Sequence, residues 1–338
     1  MVTPNDSFYM RLAMREAWNY QLLTYPNPAV GAAVVGSHGE LLSVNAHKQA
    51  GKAHAEVLAI RDAYVQLSGD DELAECDDAH TLHCELARRA GSLFSKATIY
   101  VTLEPCSHTG KTPACADLIA TLGFKRVVIG AMDPNLQAAG GAKRLEHAGI
   151  DVVTGVERAA CETLIEPFVK WQTGRFLFFK LAQTMNGVID GGIISCETSR
   201  KWVHRVRSRL DLLVIGGNTV RTDRPTLDSR LVGGRAPDVA IFTRHPDGID
   251  RRIPLFEIPD RKVSFVDGHD SLPKRGLVMV EGGSGTFRAL QNEIDWMVLF
   301  VAPFVKEGTC YNGGKNFELL HQTRSGSDAM LWLKVNHG

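Results

Sequence analysis

Four residues in the first half have types and spacing suited to metal-assisted hydrolysis: His54, Glu56, Cys106 and Cys115. His54-Ala55-Glu56 stands where a helical pattern opens. Pro105-Cys106 follows an apolar strand-like run, and Cys115 comes nine residues after Cys106, where another helical pattern begins. Zinc takes about four tetrahedral ligands from imidazole and thiolate, and a catalytic zinc keeps one position for water. One His and two Cys supply three protein ligands. Glu56 can face the same pocket without ligating and so carry protons. Water on zinc is acidified toward neutrality, which readies it for attack. The histidine or a cysteine alone reads as a helix histidine or a small core residue; the metal reading rests on all four occurring together, each next to a helix start.

Zinc-dependent nucleobase deaminases use a His/Cys/Cys zinc, a non-ligand Glu and an H-x-E…P-C-x-x-C signature. In this chain eight residues, not two, separate the cysteines: Ser107-His108-Thr109-Gly110-Lys111-Thr112-Pro113-Ala114. A loop with His108, Lys111 and two Thr suits a phosphate-bearing substrate, with Lys111 as a point charge.

These residues need a scaffold, and the apolar periodicity outlines one. A helix is expected over 7–20, then an extended Tyr25-Pro26-Asn27-Pro28, because prolines exclude helix at and before their positions. Val30–Val35 and Leu41–Val44 read as paired strands around Gly36–Gly39. Ala53–Val65 (helix), Ala97–Leu103 (strand), Pro113–Thr121 (helix), Arg126–Gly130 (strand), Ala142–Ala148 (helix) and Ile150–Val153 (strand) follow. Residues 66–95 are polar and acidic at first and read as an insertion. A helical pattern over 158–171 joins the halves. Strands at 176–181, 212–215, 239–242, 277–280 and 297–301 then alternate with helices near 198–209 and 286–292. The alternation predicts α/β layers with partly parallel strands.

At 338 residues the chain is long enough for about two domains. Lys plus Arg and Asp plus Glu are both 38, so no broad basic surface for nucleic acid is expected. No apolar run approaches the roughly 20 residues of a membrane span, and the N-terminus has no signal-peptide pattern. Seven cysteines without a secretory signal point to reduced thiols and a cytoplasmic location. In the second half no G-x-G-x-x-G follows a strand. Instead Ile215–Thr219 and Glu281–Thr286 form Gly-rich strand ends, the latter leading into a helix whose backbone could hold phosphate.

PCSHTGKTPAC, HAE, YPNPAVG and Asp133-Pro134-Asn135 resemble the deaminase half of the bifunctional riboflavin-biosynthesis enzymes. That family joins a diaminohydroxyphosphoribosylaminopyrimidine deaminase to a 5-amino-6-(5-phosphoribosylamino)uracil reductase. The resemblance implies a cytidine-deaminase-like three-layer domain at 1–155, with zinc on His54, Cys106 and Cys115. It makes Glu56 the proton shuttle and places Asn27, His108 and Lys111 on the substrate. KLAQTMNG (180–187), Arg200, Val203-His204, Arg207, the Thr219–Arg230 stretch, Glu281-Gly282-Gly283 and Val301-Ala302-Pro303 resemble the family's reductase half. They imply a dihydrofolate-reductase-like domain at 156–338 using NADPH. Ala182, Ser195, Thr219, Asp223, Gly283, Ser284, Gly285, Thr286, Phe287, Arg288 and Ala289 would then touch the cofactor. Arg207, Leu227, Arg230 and Glu281 would touch the phosphoribosyl substrate, the two Arg clamping phosphate. One stretch departs: Gly191-Gly192-Ile193 replaces the family's G-x-S-x-W, so its Ser and Trp are missing, and the 230–281 and C-terminal segments read as short.

The resulting expectation is a bifunctional enzyme of small phosphoribosylaminopyrimidines, with no nucleic-acid or membrane partner and a homo-oligomer left open. Its rivals are a zinc deaminase with an inactive second domain and a nucleic-acid deaminase. Cys76, His80, His83 and Cys84 have metal-like chemistry but lie in the insertion, where a polar surface segment is expected.

Overall fold

In the first unit short apolar runs, punctuated by turn residues, become the strands of one sheet. The computed structural model describes residues 4–108, 110, 112–135 and 139–337. Helix α1 (Pro4–Trp18) begins with proline, which is pre-set for a first helical turn. Strands β1 (Gly31–Val35) and β2 (Leu41–Ala46) form the expected hairpin. Helix α2 (Ala55–Ser68), β3 (Thr98–Leu103), α4 (Cys115–Thr121), β4 (Arg126–Ala131), α5 (Gly141–His147) and β5 (Asp151–Thr154) match the expected series. The sheet order is β2-β1-β3-β4-β5, antiparallel around β1 and parallel from β3 onward. Gly31 lets α1 lie directly on β1: a Cβ there would stand 1.9 Å from the Ala13 carbonyl oxygen. Helix α6 (Arg158–Thr173) is tied to the turn after α1, where Gln21 Nε2 donates to the Leu164 carbonyl at 2.6 Å. Helices α2, α4 and α5 pack together as the opposite layer, which gives the three-layer fold.

The insertion holds a further helix, α3 (Ala79–Arg89). Asp78 caps it by accepting from the Thr81 N–H at 2.8 Å, and Leu82 and Leu86 are fully buried. Its apolar spacing at 79, 82 and 86 was the signal, masked by the acidic run before it.

Asp6 is wholly buried and takes Arg126 Nη1 at 2.7 Å and the Tyr100 hydroxyl at 2.9 Å. Removing one partner of a buried pair strands the other. Asp6→Ala is expected to lower unfolding free energy by about 3–5 kcal/mol; a loss near zero in denaturant titration would contradict this.

The first unit runs Met1–Val169, past the expected boundary at 155, because Cys161 and Ile165 of α6 belong to its core. The second unit, Lys170–Gly338, is built on an eight-stranded sheet. Its elements are β6 (Arg175–Thr184), α7 (Glu197–Arg207), β7 (Leu212–Gly216), α8 (Gly217–Asp223), β8 (Val239–Phe242), β9 (Val263–Val266), β10 (Gly276–Glu281), α9 (Ser284–Leu290), β11 (Trp296–Ala302), β12 (Phe317–Ser325) and β13 (Asp328–Val335). The order is β12-β13-β11-β6-β10-β7-β8-β9, with β12, β13 and β11 antiparallel and the rest parallel. Central β6 reads FLFFKLA, the near-continuous apolar run of a strand buried on both faces. The β12–β13 hairpin, β9 and α8 were not read from sequence. Edge strand β12 buries only Ser325 and carries no apolar alternation. Among the described residues no helix is long and apolar enough to cross a membrane.

Candidate functional site

His54 is the residue before α2, in extended backbone, so its side chain projects from the helix entrance. Glu56 follows in the first turn and is buried. Cys106 lies just beyond β3, and Cys115 is the first residue of α4. The loop bearing Cys106 is pinned from behind. Gly141 packs on the Pro105 carbonyl so closely that a Cβ would stand 1.8 Å away, and buried Glu104 accepts N–H bonds from Asp133, Gly140 and Ala142.

The ligand atoms of His54, Cys106 and Cys115 all lie within 4.8 Å of one another, the one such group among the described residues. His54 Nδ1 is 3.7 Å from Cys106 Sγ and 3.3 Å from Cys115 Sγ. A tetrahedral zinc with ordinary bond lengths spaces N and S ligands about 3.5 Å apart, so the three atoms fit that ion. His54 Nε2 stands 3.4 Å from Thr112 Oγ1, a partner that orients the ring with Nδ1 toward the sulfurs. Cys76, His80, His83 and Cys84 form no such group.

The electrostatics suit the same reading. A hydrogen bond from the Cys115 thiol, strong enough to outweigh burial, pulls Cys106 down to about 4, which favours its thiolate. Cys115, as donor and fully buried, is raised. Burial disfavours charge on His54, yet the Cys106 hydrogen bond and the Glu56 charge outweigh it and raise its pKa. Burial lifts Glu56 to about 7, poising it to take and give a proton.

Asn27 reaches this group through a residue the sequence reading passed over. His47 Nδ1 lies 3.1 Å from the Ala53 carbonyl, so it must donate. Nε2 of a neutral ring then accepts, and Asn27 Nδ2 donates to it at 3.1 Å. Burial lowers His47 to about 4, keeping it neutral, and its ring stands 5.3 Å from that of His54. A lone His after a strand gave no sequence signal. His108 is exposed on the Cys106–Cys115 loop, and Lys111 lies outside the described residues.

The second unit holds an open cavity of about 1310 Å³ at the ends of β6, β7 and β10. That exceeds the roughly 300–1,000 Å³ of a single small-molecule pocket, so it has room for a dinucleotide and a substrate together. Ala182, Ser195, Thr219, Asp223, Gly283, Ser284, Gly285 and Thr286 line it, as do Arg207, Leu227, Arg230 and Glu281. Phe287, Arg288 and Ala289 do not. Once α9 starts, its period turns Phe287 into the core and points Arg288 and Ala289 outward.

The expected two-Arg phosphate clamp is also not what the geometry shows. The Arg207 fork is engaged by Glu281, Nε at 3.0 Å and Nη2 at 2.7 and 3.0 Å. Arg230 Nη1 contacts both Asp228 oxygens, at 3.0 and 3.1 Å. Asp228 stands two residues from the exposed Arg230, whereas Arg207 is buried, where an unpaired guanidinium is costly. Lys180 faces Glu281 in the strand register and lines the cavity. A lysine inside an apolar strand is the sequence signal for this position. Burial alone would raise Glu281, but Arg207 and Lys180 outweigh it and hold it below the usual carboxylate range. The departing stretch forms the cavity rim. Gly191 and Gly192 have φ of 76° and 96°, Ile193 is 73% exposed, and Lys306 Nζ holds the Asp190 and Gly191 carbonyls.

Residues 3–131 match the family model of the cytidine and deoxycytidylate deaminase zinc-binding region, and residues 175–331 match that of the RibD C-terminal domain. The chain is 31% identical over 322 residues to the riboflavin biosynthesis protein RibD of Corynebacterium ammoniagenes, covering 90% of this chain and 88% of that protein. It is 35% identical over 252 residues to RibD of a Synechocystis strain, covering 72% of this chain and 61% of that one. It spans about three fifths of the length of several such relatives. A crystal structure from Thermotoga maritima superposes with a TM-score of 0.67 at 27% identity, covering 98% of this chain and 99% of that one. It is described as a diaminohydroxyphosphoribosylaminopyrimidine deaminase/5-amino-6-(5-phosphoribosylamino)uracil reductase.

Proposed function

We propose the following from one premise: the chain belongs to the RibD family of riboflavin biosynthesis proteins. It is a bifunctional enzyme, deaminating 2,5-diamino-6-(5-phosphoribosylamino)pyrimidin-4(3H)-one in the first unit and reducing the ribose of the product to ribityl in the second. The observation that carries the first activity is the His54/Cys106/Cys115 cluster with buried Glu56 beside it. A zinc ion held there would supply an acidified water for attack on the amino-bearing carbon. His54, Cys106 and Cys115 would hold the ion with Thr112 orienting the His54 ring, and Glu56 would take a proton from the attacking water and hand it to the departing amine. Asn27, with its amide nitrogen engaged by His47, offers Oδ1 to a substrate N–H.

The cavity of the second unit carries the reductive activity. NADPH supplies hydride to the ribose C1′ when bound there. Ala182, Thr219 and the Gly283–Thr286 turn, which line the cavity, would hold the cofactor, and Glu281, held by Arg207 and Lys180, would meet the ribose. A formal net charge of zero supports small-molecule substrates over nucleic acid.

Two measurements test this reading. Ammonia release should fall with chelation and return with one zinc per chain, whereas release unaffected by exhaustive chelation would refute the metal assignment. Ile193→Trp, which restores an aromatic surface at the rim, should lower the NADPH KM by roughly 2- to 10-fold, the worth of one aromatic stacking contact. An unchanged KM would mean that the rim does not meet the nicotinamide.

A further inference from the structure

The reductive reaction brings two phosphate monoesters to one cavity: the 5-phosphate of the substrate and the 2′-phosphate of NADPH. Four cationic side chains line that cavity, Lys180, Arg200, Arg207 and Arg230. Three already face a carboxylate. Arg207 is engaged by Glu281, Arg230 by Asp228, and Lys180 stands beside Glu281 in register.

Arg200 is different. Among the described residues its side chain makes no ion pair and no hydrogen bond, and its Nε is buried without a partner. Glu197, one turn earlier, acts on it only at a distance, and the Glu197 carboxylate is taken by Lys201 at 2.8 Å. Arg200 opens the cavity-facing stripe of α7, one turn before His204 and two before Arg207. That turn is firmly held: buried Asp328 accepts from the Cys196 N–H at 2.9 Å and the Ser199 hydroxyl at 2.7 Å. A guanidinium fork is built for bidentate phosphate recognition, and leaving its buried Nε without an acceptor is costly.

We infer that Arg200 is a phosphate-monoester ligand of this cavity, a role that rests on the reductase reading of the second unit. The fixed helix presents the fork, and the phosphate supplies the acceptors that the protein withholds.

The test uses the full chain with zinc, as wild type, Arg200→Gln and Arg200→Lys. Calorimetry measures ribose 5-phosphate against ribose, and adenosine 2′,5′-bisphosphate against adenosine 5′-monophosphate. Arg200→Gln should weaken one phosphate probe by roughly 10- to 100-fold while leaving its dephosphorylated partner unchanged, and Arg200→Lys should recover part of the loss. The affected probe names the source: substrate phosphate or cofactor 2′-phosphate. Equal losses for probe and partner, unchanged affinities, or a wild type that binds neither probe would overturn the inference. If phosphate binding depends on Arg200 but the wild type oxidises no NADPH, the reductase reading fails and the phosphate site stands.

Discussion

Glu56→Gln is expected to keep about one zinc per chain and to lose deamination by at least roughly 10³-fold, since one group serves both proton transfers. Glutamine fills nearly the same volume but can neither accept nor deliver the proton. The site is buried, and burial already disfavours the charged form of Glu56. Removing the charge should therefore leave Tm unchanged or slightly raised. Activity loss with retained metal and retained fold isolates the chemical role. Loss of zinc in the variant would make Glu56 a ligand, and near-normal turnover would make it a bystander.

The second large effect separates the two activities. His54→Ala removes one of three zinc ligands and should abolish deamination. NADPH-dependent reduction of the already deaminated substrate should persist, because His54, Cys106 and Cys115 lie in the first unit and the large cavity in the second. Arg207→Ala should do the reverse. It leaves Glu281 buried with only Lys180 beside it, freeing that carboxylate to turn from the ribose or take up a proton. Reduction should fall roughly 10²-fold or more, the scale of losing a buried charged hydrogen-bond partner of about 3 kcal/mol. Paired assays of ammonia and NADPH on folded variants decide it. If His54→Ala removes both activities while circular dichroism shows an intact fold, the two sites are not independent.

Much of this was readable from residues. His-x-Glu and the second Cys fall at helix starts and Pro-Cys just past a strand end, where short-range sequence fixes side-chain direction, and so named a metal site; the structure gathers all three ligands. The βα alternation was readable for the same local reason. What was not readable depended on long-range packing. The β12–β13 hairpin exposes polar residues and draws its stability from pairing with β11. His47 gains its place only when β2 lays it beside Asn27. The engagement of Arg207 by Glu281 joins residues 74 apart, so a sequence shows two charges and not their pairing. Phe287–Ala289 lie off the cavity lining because the motif run continues into a helix, whose period sends successive residues to different sides.

The most direct test of the central claim is product analysis by mass spectrometry, with purified chain and the phosphoribosylaminopyrimidine, with and without NADPH. Without NADPH the account predicts one product, in which the amino group has become a carbonyl and the ribose is intact. With NADPH it predicts conversion of that product to the ribityl compound. Ribityl product formed from undeaminated substrate, or accumulation of the deaminated compound despite NADPH, would contradict it.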